Sequence, residues 1–266
     1  LYLINRRSCL PVSSLHLLSV HVKMRMPCQY FQTNPPLYQL PFFLLLVQYP
    51  SLSFLLQILP LKIPVLPENI SVKNMAEFSD SEKGIAVGLD AESIEAVYVK
   101  PGETTAMAVT GRVGCGKSTM LQRIGQMVLE VDENTLLYCL DTEKKSLAKL
   151  QEKGTAYARL SEVEKVQDVF AQILKELMSR MQRRKEAATE IEKEPWIILL
   201  IDDIKECNSL PDDIQMQLHR IMTKTKGYGV LVLCGIRQGD LFNFYTQDQL
   251  GVDLKSSGSA LALSDT

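Results

Sequence analysis

The chain has 266 residues, enough for one large domain or two small ones with a core of ordinary size. Its formal net charge is −2 and its pI about 6.0, so no global basic face marks it for a nucleic acid or a membrane surface. Of the 29 basic and 31 acidic residues, residues 1–67 hold five basic and none acidic, leaving 24 against 31 and a net of −7 over residues 68–266, an unpromising grip for phosphate backbones.

The six cysteines are Cys9, Cys28, Cys115, Cys139, Cys207 and Cys234. None forms a CxxC pair, and three histidines are too few to complete a zinc site. Cys139 and Cys234 sit inside apolar runs, where a thiol acts as a small hydrophobe. This usage fits a reducing cytosol better than a disulfide scaffold.

Residues 1–62 contain no Asp, Glu, Gly, Ala or Trp, far from the usage of a folded domain. Residues 40–61 are uncharged and long enough to span a bilayer, but Pro41, Pro50 and Pro60 with Gln48 and Gln57 interrupt any helix. No small-residue cleavage site comes after them, so a secretory signal is not indicated. The expectation is a disordered or mistranslated leader. Ordinary composition returns at Ile63-Pro64-Val65-Leu66-Pro67-Glu68, a Pro-stiffened linker. A polar stretch at 77–83 and two short strands at 85–88 and 96–99 complete a linker and leading-strand region over 63–103.

From about residue 104 strands and helices alternate. Strands are expected at 105–110, 136–140, 196–201 and 230–234, and helices at 117–130 and 214–226. Between them Val166, Val169, Phe170, Ile173, Leu174, Leu177 and Met181 recur at helical spacing from Val163 onward. Strands apolar throughout and separated by helices imply a mainly parallel sheet covered on both faces.

Gly111-Arg112-Val113-Gly114-Cys115-Gly116-Lys117-Ser118 matches GxxxxGK(S/T) between an expected strand and an expected helix. Its glycines let successive backbone N–H groups wrap phosphate oxygens, and the helix N-terminus adds its dipole. Lys117 is expected to reach the β- and γ-phosphates, Ser118 to place its hydroxyl on Mg²⁺, and Thr119 to help hold the α-phosphate. By chance this spacing arises in about one chain in a hundred, so ATP with Mg²⁺ is the expected ligand. Cys115 fills a variable position, with a regulatory thiol as the lesser alternative.

A second carboxylate belongs at the end of an apolar strand, facing the metal beside the loop. Trp196-Ile197-Ile198-Leu199-Leu200-Ile201-Asp202 supplies it, making Asp202 the candidate metal-site and catalytic carboxylate. Asp203 comes next, where many P-loop ATPases of the kind with an extra strand carry a water-polarising Glu, and it is shorter by one methylene, roughly 1.5 Å of reach. Capping of the next helical turn is the alternative for both. Asp141 either faces the same cleft or caps 144–150. Arg237 and Gln238 either sense the γ-phosphate or form a surface pair. Arg180, Arg183, Arg184 and Lys185 read as a solvated helix end rather than a nucleic-acid patch.

Together these residues resemble the FtsK/SpoIIIE family of P-loop ATPases from about Ile63 to Thr266, most closely the C-terminal ATPase module of the type VII secretion ATPases EssC and EccC. Ile63–Glu68 resembles the Pro-rich approach to such a module, and Val87-Gly88-Leu89-Asp90 its GLD segment. Residues 110–119 resemble Walker A, 137–141 the strand ending in Asp, and 197–203 Walker B. The resemblance implies a RecA-like α/β fold and an incomplete C-terminus to the domain at 104–266. It also implies a cytoplasmic module of a plasma-membrane protein that binds ATP, hydrolyses it weakly and docks WXG100-type secreted substrates. Adjacent ATPase modules and a hexameric assembly are the further partners implied. Asp203 departs from the DNA-pumping members, which carry Glu. A DNA translocase is the alternative.

Overall fold

A computed structural model describes residues 3–5, 18–23, 71–79, 82–90, 93–186 and 194–264. These fall in one of the two units into which the chain divides, Leu1–Met24 with Glu68–Thr266. The other unit, Arg25–Pro67, lies outside the described residues, as do the apolar stretch at 40–61 and the linker at 63–68.

Among the described residues ten strands enter one sheet: β1 (Leu3–Asn5), β2 (Leu18–Lys23), β3 (Ile85–Asp90), β4 (Ala96–Val99), β5 (Ala106–Gly111), β6 (Leu136–Asp141), β7 (Ala156–Arg159), β8 (Ile197–Ile201), β9 (Val230–Arg237) and β10 (Ser259–Ser264). Their order is β4-β3-β1-β2-β10-β5-β9-β8-β6-β7, and every pairing from β2 to β7 is parallel. The helices are α1 (Val72–Phe78), α2 (Lys117–Val131), α3 (Val163–Glu186), α4 (Asp212–Lys224), α5 (Gln238–Gln247) and α6 (Gln249–Ser256). None of those described is long and apolar enough to cross a membrane.

Strands β3, β5, β6, β8 and β9 are buried on both faces along nearly their whole length, and side chains sort by the two-residue period of a strand. In β8, Ile197, Leu199 and Ile201 join one apolar cluster, and Ile198 and Leu200 join the other. The first cluster takes in α3, α4, α5 and α6, and the second takes in α2. The stripe on α3 buries Val166, Val169, Phe170, Ile173 and Leu177. At about 1.5–3 kcal/mol per buried apolar side chain, that burial outweighs the poor helix propensity of its valines.

The expected strands and helices are present with small boundary shifts. The largest is at β9, which continues to Arg237. Sequence reading did not find β1, β2, α1, β7, α5, α6 or β10. The stretch read as polar from residue 77 begins inside α1, whose N-cap Ser71 accepts the Asn74 N–H. From the leader, β1 and β2 enter the sheet, with β2 pairing β10 over Leu18↔Ser259 to Lys23↔Ser264.

Arg180 corrects one reading. It is fully buried rather than part of a solvated helix end. Its guanidinium donates to Glu176 at 2.9 Å and to the Tyr228 and Pro195 carbonyls at 2.8 Å each. It therefore ties the end of α3 to the chain leading into β8 and β9. Replacing Arg180 with Ala strands those acceptors and should cost on the order of 3–5 kcal/mol, read as a lower denaturant midpoint. Arg180→Lys keeps the charge without the planar fork and should recover only part of the loss.

Candidate functional site

The β5 strand ends at Gly111, and α2 begins at Lys117, so the glycine-rich segment is the connection between them. Gly116 is the N-cap of α2 at φ 93°, a left-handed conformation that glycine adopts without a Cβ penalty. It offers no side chain to cap the helix. The first N–H groups of α2 thus keep their capacity to bind an anion, which the helix dipole also favours. Arg112, Val113, Gly114 and Thr119 are exposed, Gly116, Lys117 and Ser118 half-buried, and Cys115 buried. The Lys117 ammonium lies back over the loop, donating to the carbonyls of Gly111 at 3.1 Å and Arg112 at 2.8 Å. These neutral acceptors are weaker partners than a phosphate would be.

Asp202 comes directly after β8 and is buried. Its N–H donates to the Leu140 carbonyl at 3.0 Å, which carries the β6–β8 pairing one residue further. Its Oδ2 accepts the Thr142 hydroxyl at 3.0 Å, whereas its buried Oδ1 has no protein donor. On the other side, a Cβ at Gly235 of β9 would collide with the Asp202 carbonyl, so glycine is what permits the close approach. The Thr110 hydroxyl, at the foot of the loop, is also buried without a partner.

Asp203 caps the next turn, a role that can coexist with one at the nucleotide. It is the N-cap of a 3₁₀ turn, Ile204–Ser209, and its Oδ1 accepts the Lys205 N–H at 3.1 Å. Burial raises its pKa above the usual carboxylate range. The Lys205 N–H and the Arg237 charge oppose that shift, and Asp202 and Asp240 reinforce it. Glu206, on the same turn, is raised first by burial and then by Asp203 and Asp202. Sequence reading missed Glu206, because no strand or motif announces a carboxylate on this turn.

Arg237 ends β9 opposite Gly111 of β5, which puts it at the foot of the glycine loop. Gln238 begins α5. Lys205 pairs with Asp240 at 2.9 Å, tying the turn after Asp202 to the first turn of α5. Asp141 serves its own loop: its Oδ1 accepts the Thr142 N–H at 2.9 Å, and its Oδ2 accepts the Leu147 N–H at 2.8 Å and the Tyr157 hydroxyl at 2.9 Å. Burial raises its pKa, those hydrogen bonds lower it, and the Asp202 charge raises it again. The bond from the Leu147 N–H agrees with the reading in which Asp141 caps the segment at 144–150.

The arginines of the basic cluster are paired within the fold, while Lys185 is exposed. Arg183 pairs with Glu176 and Glu194. Arg184 pairs with Glu194, donates to the Gly227 carbonyl and lies 4.3 Å from the Tyr228 ring centroid.

The residues fit a nucleotide with a divalent metal. Among the described residues no group of three or more His, Cys, Asp or Glu could hold a metal alone. Mg²⁺ needs no such cage, since it keeps waters and takes one or two protein oxygens beside the phosphates. The orphaned Oδ1 of Asp202 is an acceptor suited to that shell. Asp202 and the glycine loop are separated by β9 alone, two strand spacings or about 10 Å.

Neither a protein-family model nor a curated protein sequence matches the chain. Solved structures match by fold. EssC (ATPases 2 and 3) from Geobacillus thermodenitrificans aligns at a TM-score of 0.58 and 21% identity, over 76% of this chain and 40% of that one. The cytoplasmic domain of the Thermomonospora curvata type VII secretion ATPase EccC aligns at 0.52 and 17% identity, over 76% of this chain and 24% of that one. Thermomonospora curvata EccC (ATPases 2 and 3), in complex with a signal sequence peptide, aligns at 0.50 and 17% identity, over 75% and 37%. The chain spans well under half the length of each. Its fold is that of the P-loop ATPase domains in those structures, and it resembles the ATPase modules of EssC and EccC.

Proposed function

We propose that the chain is an ATP-binding module of a type VII protein secretion ATPase, working with Mg²⁺, weak in hydrolysis, and acting in the docking of secreted substrates. One observation carries the nucleotide reading: the uncapped α2 N-terminus and Lys117 stand at the same sheet edge as the donorless Oδ1 of Asp202. In this reading the backbone of 111–116 and the first turn of α2 bind the phosphates. Lys117 moves from the loop carbonyls onto the β- and γ-oxygens, and Ser118 with Asp202 holds the metal. Arg112, Val113, Cys115 and Thr119 complete the contact surface. The metal, when bound, neutralises phosphate charge.

Weak hydrolysis is proposed from Asp203. A base for the attacking water needs reach and freedom, and Asp203 is short and already accepts the Lys205 N–H. A misplacement of an ångström can cost on the order of a hundredfold in rate. Docking of WXG100-type substrates, a neighbouring ATPase module, hexameric assembly and attachment to the plasma membrane are proposed from the likeness to EssC and EccC. The DNA-translocase reading gains little from a cluster whose arginines are paired with Glu176 and Glu194. Salt-dependent DNA binding with DNA-stimulated turnover would reverse that preference.

Lys117→Ala should abolish ATP binding in a calorimetric titration of the full chain at an unchanged melting temperature. Equal affinity in the variant contradicts the assignment. Steady-state phosphate release under saturating ATP should lie well below about 1 s⁻¹, the low end of ordinary enzymes. Asp203→Glu should raise it with little change in affinity. A faster wild type contradicts the docking-module reading, and a variant no faster contradicts the role given to Asp203.

A further inference from the structure

The two oxygens of the Asp202 carboxylate are in different circumstances. Oδ2 accepts the Thr142 hydroxyl, and Oδ1 is buried without a protein donor. A carboxylate turns about its terminal bond in a broad, roughly two-fold well, so the strand alone does not decide which oxygen faces the glycine loop. A single directed donor on one oxygen does decide it.

Thr142 is built to be that donor. It is buried, its N–H donates to Asp141 Oδ1, and its carbonyl accepts the Lys145 N–H at 3.1 Å. Its hydroxyl oxygen accepts the Lys144 N–H at 3.4 Å, and the one proton it carries is donated to Asp202 Oδ2. Asp141 fixes the start of this loop through Thr142 and its far end through Leu147, while the Tyr157 hydroxyl holds the same carboxylate from β7. The parallel register of β6 on β8, Leu140↔Ile201, then brings Thr142 beside Asp202. Both partners are buried, so this bond is little screened and competes with little water.

We propose that Thr142 is a positioning residue, holding the Asp202 carboxylate by Oδ2 so that Oδ1 is presented to the Mg²⁺ that accompanies a bound nucleotide. The inference rests on the ATP·Mg²⁺ reading above. It separates Thr142 from a merely structural threonine: loss of packing weakens nucleotide binding whatever the metal, whereas loss of positioning weakens only the metal-dependent part.

The test is calorimetric titration of ATP into the full chain, once in EDTA and then across a range of Mg²⁺ concentrations. Thr142→Val should raise the Mg²⁺ concentration for half-maximal ATP binding roughly tenfold, the worth of a hydrogen bond to a charged group. Affinity in EDTA should not change, and Thr142→Ser should restore the wild-type metal requirement. Thr142→Ala, measured alongside, should behave as Thr142→Val, so a packing fault peculiar to valine does not decide the result. Equal losses with and without Mg²⁺, or no restoration by serine, overturn the positioning role. A metal requirement unmoved by Val and Ala, in a chain that binds ATP, overturns this inference alone. A wild type that binds no ATP overturns the functional reading and this inference together.

Discussion

Parallel pairing of β5, β9, β8 and β6 is the constraint on which the candidate site depends. Because the strands run in one direction, their C-terminal ends share one edge, and each strand delivers its last residues and the next few to that edge. From β5 comes the glycine loop, from β9 Arg237, from β8 Asp202 and Asp203, and from β6 Asp141 with Thr142. Inserting β9 between β5 and β8 separates phosphate grip from metal carboxylate by two strand spacings. The insertion works only because Gly235 lets the β9 backbone pass the Asp202 carbonyl.

The polar groups divide into those that are spent and those left open. Arg180, Arg183, Arg184, Asp141 and Asp203 are each committed to partners within the fold. Asp202 Oδ1 is not, and a buried carboxylate oxygen without a donor costs free energy that a ligand could recover. Lys117 is in between, since its present acceptors are loop carbonyls that a charged phosphate would displace. This division argues for a molecule organised to hold a ligand at the sheet edge rather than to grip a polyanion along α3.

Much of this was legible in the sequence, for physical reasons. Short all-apolar runs rich in β-branched residues, such as Ile197–Ile201, favour strands buried on both faces, and the glycine loop carries its own spacing. Other elements left weak signals. The β10 sequence Ser-Ala-Leu-Ala-Leu-Ser has no β-branched or aromatic residue to mark it, and it is a strand because β5 offers it an edge. The burial of Arg180 was invisible because its acceptors, the carbonyls of Pro195 and Tyr228, come from distant parts of the chain. Thr142 was hidden in the same way, since its meaning lies in a partner sixty residues further along.

A crystal structure of the full chain with a non-hydrolysable ATP analogue and Mg²⁺ tests the central claim most directly. The account predicts the triphosphate in the 111–119 loop, with Lys117 Nζ withdrawn from the Gly111 and Arg112 carbonyls to phosphate oxygens. It also predicts Asp202 Oδ1 within about 3 Å of a water on the metal. A nucleotide bound elsewhere, or Lys117 still on those carbonyls with Asp202 Oδ1 donorless beside a bound nucleotide, would contradict it.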